Sequence, residues 1–107
     1  MNRKDAIDKT LADIDSDFVK ALNEPARIEI LKLLILNGAC DIKTLAENMP
    51  QDRSVISRHL AIMENAGLVS QKKEGRHMIY SVDGKSALQK SEQLVQSIRK
   101  CIEFGCC

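Results

Sequence analysis

Long apolar runs are missing from this 107-residue chain, and none approaches the length of a membrane span. The opening MNRKDAIDKT has no apolar centre of the kind a secretory leader carries, so the expected location is the cytosol, with no membrane partner. There is no glycine-rich phosphate loop, no Ser-His-Asp set and no HExxH pattern, so an enzyme is not expected. Internal repeats and low-complexity segments are absent as well. Net charge is scarce: 16 Lys and Arg against 15 Asp and Glu leave +1, a weak argument for nucleic acid on its own. Length indicates one domain over 1–107, with a modest core that dimerisation would enlarge. Four cysteines in a cytosolic protein point to thiols or metal ligands rather than a disulfide framework.

What is present concentrates in residues 41–80, DIKTLAENMPQDRSVISRHLAIMENAGLVSQKKEGRHMIY. Asp41 is a good N-cap for a helix carrying Ile42, Leu45 and Ala46, and Met49-Pro50 ends it. Asp52 or Ser54 caps a second helix running to Ala66, where Gly67 supplies a left-handed stop. In that helix Ile56, Leu60 and Met63 face inward together. Arg53, Ser54, Ser57 and Arg58 lie on other faces near its N-terminus. Short hydroxyls permit close approach to DNA, an arginine can take a guanine edge bidentately, and a helix N-terminus favours phosphate. An ordinary polar surface would carry the same residues; the flanking elements favour DNA.

Two strands with a tight turn at Glu74-Gly75 follow, from Leu68 and Val69 to Ile79 and Val82. Lys72, Lys73, Arg76 and His77 surround the turn, as a solvated hairpin tip or as a wing along the phosphate backbone. Across 51–77, five Lys and Arg oppose three acids, enough for phosphate contacts without forming a basic stripe. The predicted fold is therefore mainly α with a two-stranded β-wing, a winged helix-turn-helix in the order α-α-α-α-β-β-α.

On either side lie helical patterns. Residues 5–22 read as one amphipathic helix, with Ile7, Leu11, Ile14, Phe18 and Leu22 on one face. Asn23 is positioned to cap the next helix, Pro25 sits just inside it, and Asn37-Gly38 closes it. Ile28, Ile30, Leu31, Leu33, Leu34, Ile35 and Leu36 predict that this helix is the buried centre. Residues 83–104 form the last helix, with an apolar stripe of Leu88, Val95, Ile98 and Ile102 and with Ala87 and Leu94 alongside.

The combination of Leu22, Pro25, Arg27 and Ile30-Leu31, then Asp41-Ile42 and Leu45-Ala46, then S-V-I-S-R-H-L, then Ala66-Gly67-Leu68-Val69 and Gly75-Arg76 with Tyr80 resembles the ArsR/SmtB family of winged-helix repressors. The resemblance spans roughly residues 22–82. It implies a homodimer, joined through the first and last helices, that represses its own operon and releases DNA when an inducer binds. Two reading helices would then meet successive major grooves of double-stranded DNA, so the operator should be an imperfect palindrome. His59 matches a structural position of the reading helix.

The cysteines are where an inducer would bind; no permanent cofactor is expected. Cys101 and Cys106 cannot share a helix face, because five residues turn about 500° and leave them about 140° apart. Gly105 permits a reversal after Phe104 that would return Cys106 and Cys107 towards Cys101. Three thiolates would suit a thiophilic trivalent metalloid, As(III) or Sb(III); Cu(I), Zn(II) and heavier soft metals are alternatives, with zinc needing a fourth ligand. An oxidation-prone tail without a role is the plain alternative. Cys40 is either a small buried hydrophobe or a further ligand, its thiol pKa lowered by the helix start at Asp41.

Members of the family it resembles that sense soft metals often carry cysteines at the start of that same helix. Cys40 matches one such position, but Gly38 stands at the usual second one. Zinc and cobalt sensors use an Asp-x-His and a His-x-x-Glu on the last helix. Here Asp83 remains while Lys85, Gln96 and Arg99 occupy the other positions, so a hard-ligand site is not expected. Persulfide sensors place a cysteine in the second helix, which lacks one here, and another near the end of the last, where Cys101 fits. A thiol redox or persulfide switch on the same DNA-binding half is the other reading.

Overall fold

The computed structural model describes residues 2–105, an elongated molecule of 55 × 25 × 21 Å. In chain order the elements are α1 (Arg3–Ala12), α2 (Ser16–Leu22), α3 (Pro25–Asn37), α4 (Ile42–Glu47), α5 (Arg53–Asn65), β1 (Val69–Glu74), β2 (His77–Val82) and α6 (Gly84–Glu103). The winged helix-turn-helix is present, with five helices rather than four ahead of the wing.

The extra helix comes from a break in the expected helix over 5–22. Asp13 ends α1, and Asp15 takes an extended backbone and starts α2 by accepting from the Phe18 amide at 3.0 Å. Its carboxylate is also held by Lys90 from α6. The two halves then serve different neighbours: α1 packs along α6, while Phe18 and Ala21 of α2 enter the core beside α3 and α5.

Each later helix begins at a side chain suited to capping. Glu24, not Asn23, caps α3 by accepting from the Ala26 amide, with Pro25 in the first turn; Asn23 instead ends α2. Asp41 caps α4 through the Thr44 amide at 2.9 Å, and Asp52 caps α5 through the Val55 amide at 3.0 Å. Asp83 caps α6. Helix α4 ends at Glu47, just ahead of buried Met49.

Ile30, Leu33 and Leu34 of α3, Leu45 of α4, Ile56, Leu60 and Met63 of α5, and Val69 and Tyr80 of the wing meet in one core. Helix α3 is buried on one face only. Ile35 and Leu36 are 70% and 68% exposed, against the expectation of a wholly buried helix. Seven apolar residues within 28–36, interrupted only by Glu29 and Lys32, lie on every side of the helix and cannot all point inward.

In the wing, Val69 pairs with Val82 and Glu74 with His77, so the two turn residues are Gly75 and Arg76. The turn therefore lies one residue later than expected. Gly75 has φ +61 and Arg76 does not share that sign, the pattern of a type II′ hairpin. Cys40 pairs antiparallel with Tyr80 through two backbone hydrogen bonds of 3.0 and 2.9 Å, which fastens the loop between α3 and α4 to the outer edge of β2.

Candidate nucleic-acid interface and cysteine site

Helix α5 carries the predicted reading face. Its inward side, Ile56, Leu60 and Met63, is fully buried, which fixes the helix rotation and turns the other side to solvent. Arg53, Ser54, Ser57 and Arg58 are all exposed there. Ser54 donates to the capping carboxylate of Asp52 at 2.7 Å. That bond, followed by the Val55 amide, holds the Asp52 carboxyl below the usual carboxylate range.

His59 is half-buried on the flank of α5 and meets Arg27 of α3, Nδ1 to guanidinium nitrogen, at 3.2 Å. The guanidinium can only donate, so Nδ1 accepts and the ring proton sits on Nε2. Arg27 also donates to the carbonyls of Ala21 at 2.8 Å and Lys20 at 3.1 Å. One side chain thus satisfies the end of α2 and braces the reading helix. Sequence reasoning matched Arg27 to a family position without finding this role, which depends on partners 6 and 32 residues away.

Lys72, Lys73 and Arg76 are exposed on the wing. Lys72 lies opposite Ile79 and Lys73 opposite Met78, so the two lysines take opposite faces of the ribbon. His77 is exposed as well. Its Nδ1 lies 3.5 Å from Asp41 at the start of α4, a contact between the wing and the helix-turn-helix. The Asp41 carboxyl is lowered chiefly by its two hydrogen bonds from Thr44, with His77 and Lys43 adding attraction. Gln71 of β1 donates to Glu64 of α5 at 3.1 Å, a second tie between wing and reading helix.

The cysteines are separated. Cys101 is half-buried in the last turn of α6; Cys106 and Cys107 lie outside the described residues. Gly105 has φ +84, the left-handed region that glycine favours at a helix end, and Arg3 of α1 donates to the Phe104 carbonyl. Cys40 sits at the wing base, 9% exposed. Burial, with Asp41 beside it, pushes its thiol pKa up from 9.0, which corrects the expectation of a lowered value. Along α6 alone, about 26 Å separate its start beside the wing from Cys101. Among the described residues no three His, Cys, Asp or Glu side chains gather as a metal site. No described helix is long and apolar enough to cross a membrane.

Residues 24–71 match a family model described as bacterial regulatory protein, arsR family. The chain is 34% identical over 67 residues to an uncharacterized HTH-type transcriptional regulator of Methanocaldococcus jannaschii, covering 63% of this chain and 75% of that one. It is 28% identical over 106 residues to a cadmium resistance transcriptional regulatory protein CadC homolog of Staphylococcus aureus, covering 96% and 84%. It also resembles the crystal structure of a possible transcriptional regulator for arsenical resistance, with a TM-score of 0.66 and 34% identity over 77% of this chain and 83% of that one.

Proposed function

Because this chain belongs to the arsR family of bacterial regulatory proteins, DNA-binding transcriptional regulators and not enzymes, we propose that it is a homodimeric repressor released from its operator by arsenite or antimonite. The observation that carries the DNA half is the outward face of α5, with Arg53, Ser54, Ser57 and Arg58 exposed while Ile56, Leu60 and Met63 lock the rotation. Lys72, Lys73 and Arg76 of the wing supply phosphate contacts, which give affinity and salt dependence more than sequence choice. His77, exposed beside the same turn, joins them.

The homodimer is supported by α6. Leu88, Val95, Ile98 and Ile102 form one stripe about half exposed along the helix, and Leu11 of α1 is 49% exposed. A second copy covering this stripe removes it from water and sets two reading helices on one side of a palindromic DNA site.

The inducer half rests on Cys101, half-buried in the last turn of α6, with Cys106 and Cys107 as the two further thiolates that a trivalent As(III) or Sb(III) would take. Release requires the inducer to bind the DNA-free form better than the DNA-bound form. A soft divalent metal is the second reading, favoured by similarity over nearly the whole chain to a cadmium-resistance regulator. Cys40, buried with a raised thiol pKa, takes no part in the proposed site.

Fluorescence anisotropy of the reduced protein on DNA from upstream of its own gene tests both halves. Tight binding followed by release with arsenite is the expected result. Binding indifferent to arsenite but lost with cadmium would move the inducer to the second reading. Loss with polysulfide alone would make Cys101 a redox thiol. Absence of specific binding would overturn the DNA half.

A further inference from the structure

Helix α6 reaches the reading head through a small junction. The Asp83 amide donates to the Leu68 carbonyl at 2.9 Å, and the first turns of α6 lie over the turn that ends α5. The contact is close because residue 67 is glycine. A Cβ there would stand 2.5 Å from Ser86 Oγ and 2.8 Å from Lys90 Cε. The Lys90 stem therefore crosses the Gly67 backbone, and its ammonium reaches the Asp15 carboxylate at the start of α2. Asp15 in turn holds the Phe18 amide, and Phe18 is buried in the core.

Lys90 is about 200° around the helix from Leu88, so it faces the domain while the apolar stripe faces away. Both members of the pair are about two-thirds shielded from water. The hydrogen bond from Lys90 is the main reason the Asp15 carboxyl lies below its ordinary range. Beyond Lys90, α6 runs on to Glu103 alongside α1. That outer arm is about 20 Å long, so a 10° change at the junction displaces its tip by about 3 Å.

We infer that Lys90, held between Gly67 and Asp15, is a positioning residue that sets the angle between the dimerisation helix and the reading head, and through it the spacing of DNA half-sites the dimer accepts. This rests on the dimeric operator-binding reading above. Lys90 touches no DNA in this role; it acts through the direction of α6. Its loss is felt when two reading heads must engage together, and not by one head alone.

The test uses duplexes carrying one or two copies of the half-site footprinted upstream of the gene, with the separation stepped one base pair at a time. Lys90→Met keeps the stem and removes the charge. It is expected to bind one half-site within about twofold of wild type, yet to lose about tenfold on the natural two-site fragment and to show a shifted or flattened spacing profile. Lys90→Arg, which keeps a cation on a long stem, should keep the wild-type profile. A Lys90→Met protein with the wild-type spacing profile overturns the inference. Equal losses on one and two half-sites also overturn it, since that pattern marks a general loss of structure. A wild-type protein with no gain from a second half-site removes the dimer premise, and this inference with it.

Discussion

Arg27 of α3 and His59 of α5 are joined by a 3.2 Å hydrogen bond between residues that a local reading of the sequence keeps apart. The same guanidinium holds two carbonyls at the end of α2. Replacing Arg27 by Ala leaves those acceptors and the imidazole without a donor. The expected cost is about 1–3 kcal/mol of stability, read from urea unfolding. Arg27→Lys should recover only part of it, because one ammonium on a flexible stem cannot reproduce the planar fork. Full recovery by lysine would show that charge alone matters there.

The two sets of basic residues should separate in a salt titration. Arg58 lies on the reading face of α5, and Lys72 on the wing. If Arg58 meets a base edge, Arg58→Ala costs about 1–3 kcal/mol on the operator and relaxes its sequence preference. Lys72→Ala should weaken all duplexes alike and reduce the slope of log affinity against log salt by about one. Neither change should move the unfolding midpoint, as both side chains are exposed. Loss of discrimination from Lys72→Ala would place the wing against bases instead of phosphates.

Local chemistry made much of this molecule legible. Asp41 and Asp52 announced the two helices of the helix-turn-helix, and Gly67 the end of the second, because capping involves partners within a few residues. Ile56, Leu60 and Met63 fixed the reading face in advance by the same local periodicity. The break after Ala12 was hidden because Ile7, Leu11, Ile14 and Phe18 keep helical phase straight through it. What breaks the helix is Asp15, an ordinary surface residue until Lys90 arrives from 75 positions away. The pairing of Cys40 with Tyr80, and of Asp41 with His77, likewise joins segments whose meeting depends on the finished fold. In the cysteine site, Gly105 takes a positive φ, while Cys106 and Cys107 lie outside the described residues. Of the two readings of Cys40, the small buried hydrophobe holds and the lowered thiol pKa does not, because its burial, set by tertiary packing, outweighs the helix start beside it.

Acid should loosen the helix starts before anything else. Asp15, Asp41 and Asp52 each cap a helix, and each is held below the ordinary carboxylate value of 3.8. The leading causes are the Lys90 hydrogen bond for Asp15, the Thr44 amide for Asp41 and the Ser54 hydroxyl for Asp52. A carboxyl whose folded pKa is depressed binds fewer protons folded than unfolded. Its contribution is therefore present above the unfolded value and lost as pH falls through the folded one. The urea midpoint should show no loss from these groups between about pH 7 and 5, then fall below about pH 4. Asp52→Asn keeps a capping oxygen without a titrating group, and should make that fall shallower. An unchanged acid limb would remove Asp52 from the account.

The thiols should differ in reactivity, and arsenite should act on one class only. Cys40 is buried at the wing base with its thiol pKa raised by burial and by Asp41, so little thiolate forms at neutral pH and little of it meets solvent. Cys101 is only half-buried in the last turn of α6. Timed alkylation of the folded protein, followed by peptide mass spectrometry, should therefore modify Cys101 well before Cys40. Arsenite added first should slow labelling at Cys101, Cys106 and Cys107 and leave Cys40 unchanged. Protection of Cys40 by arsenite would move the proposed inducer site to the wing base. Unprotected Cys101 would sever the last helix from the inducer and leave the DNA-binding face as a separate conclusion, since Ser54, Ser57 and Arg58 are oriented by the core side of α5 and not by any thiol.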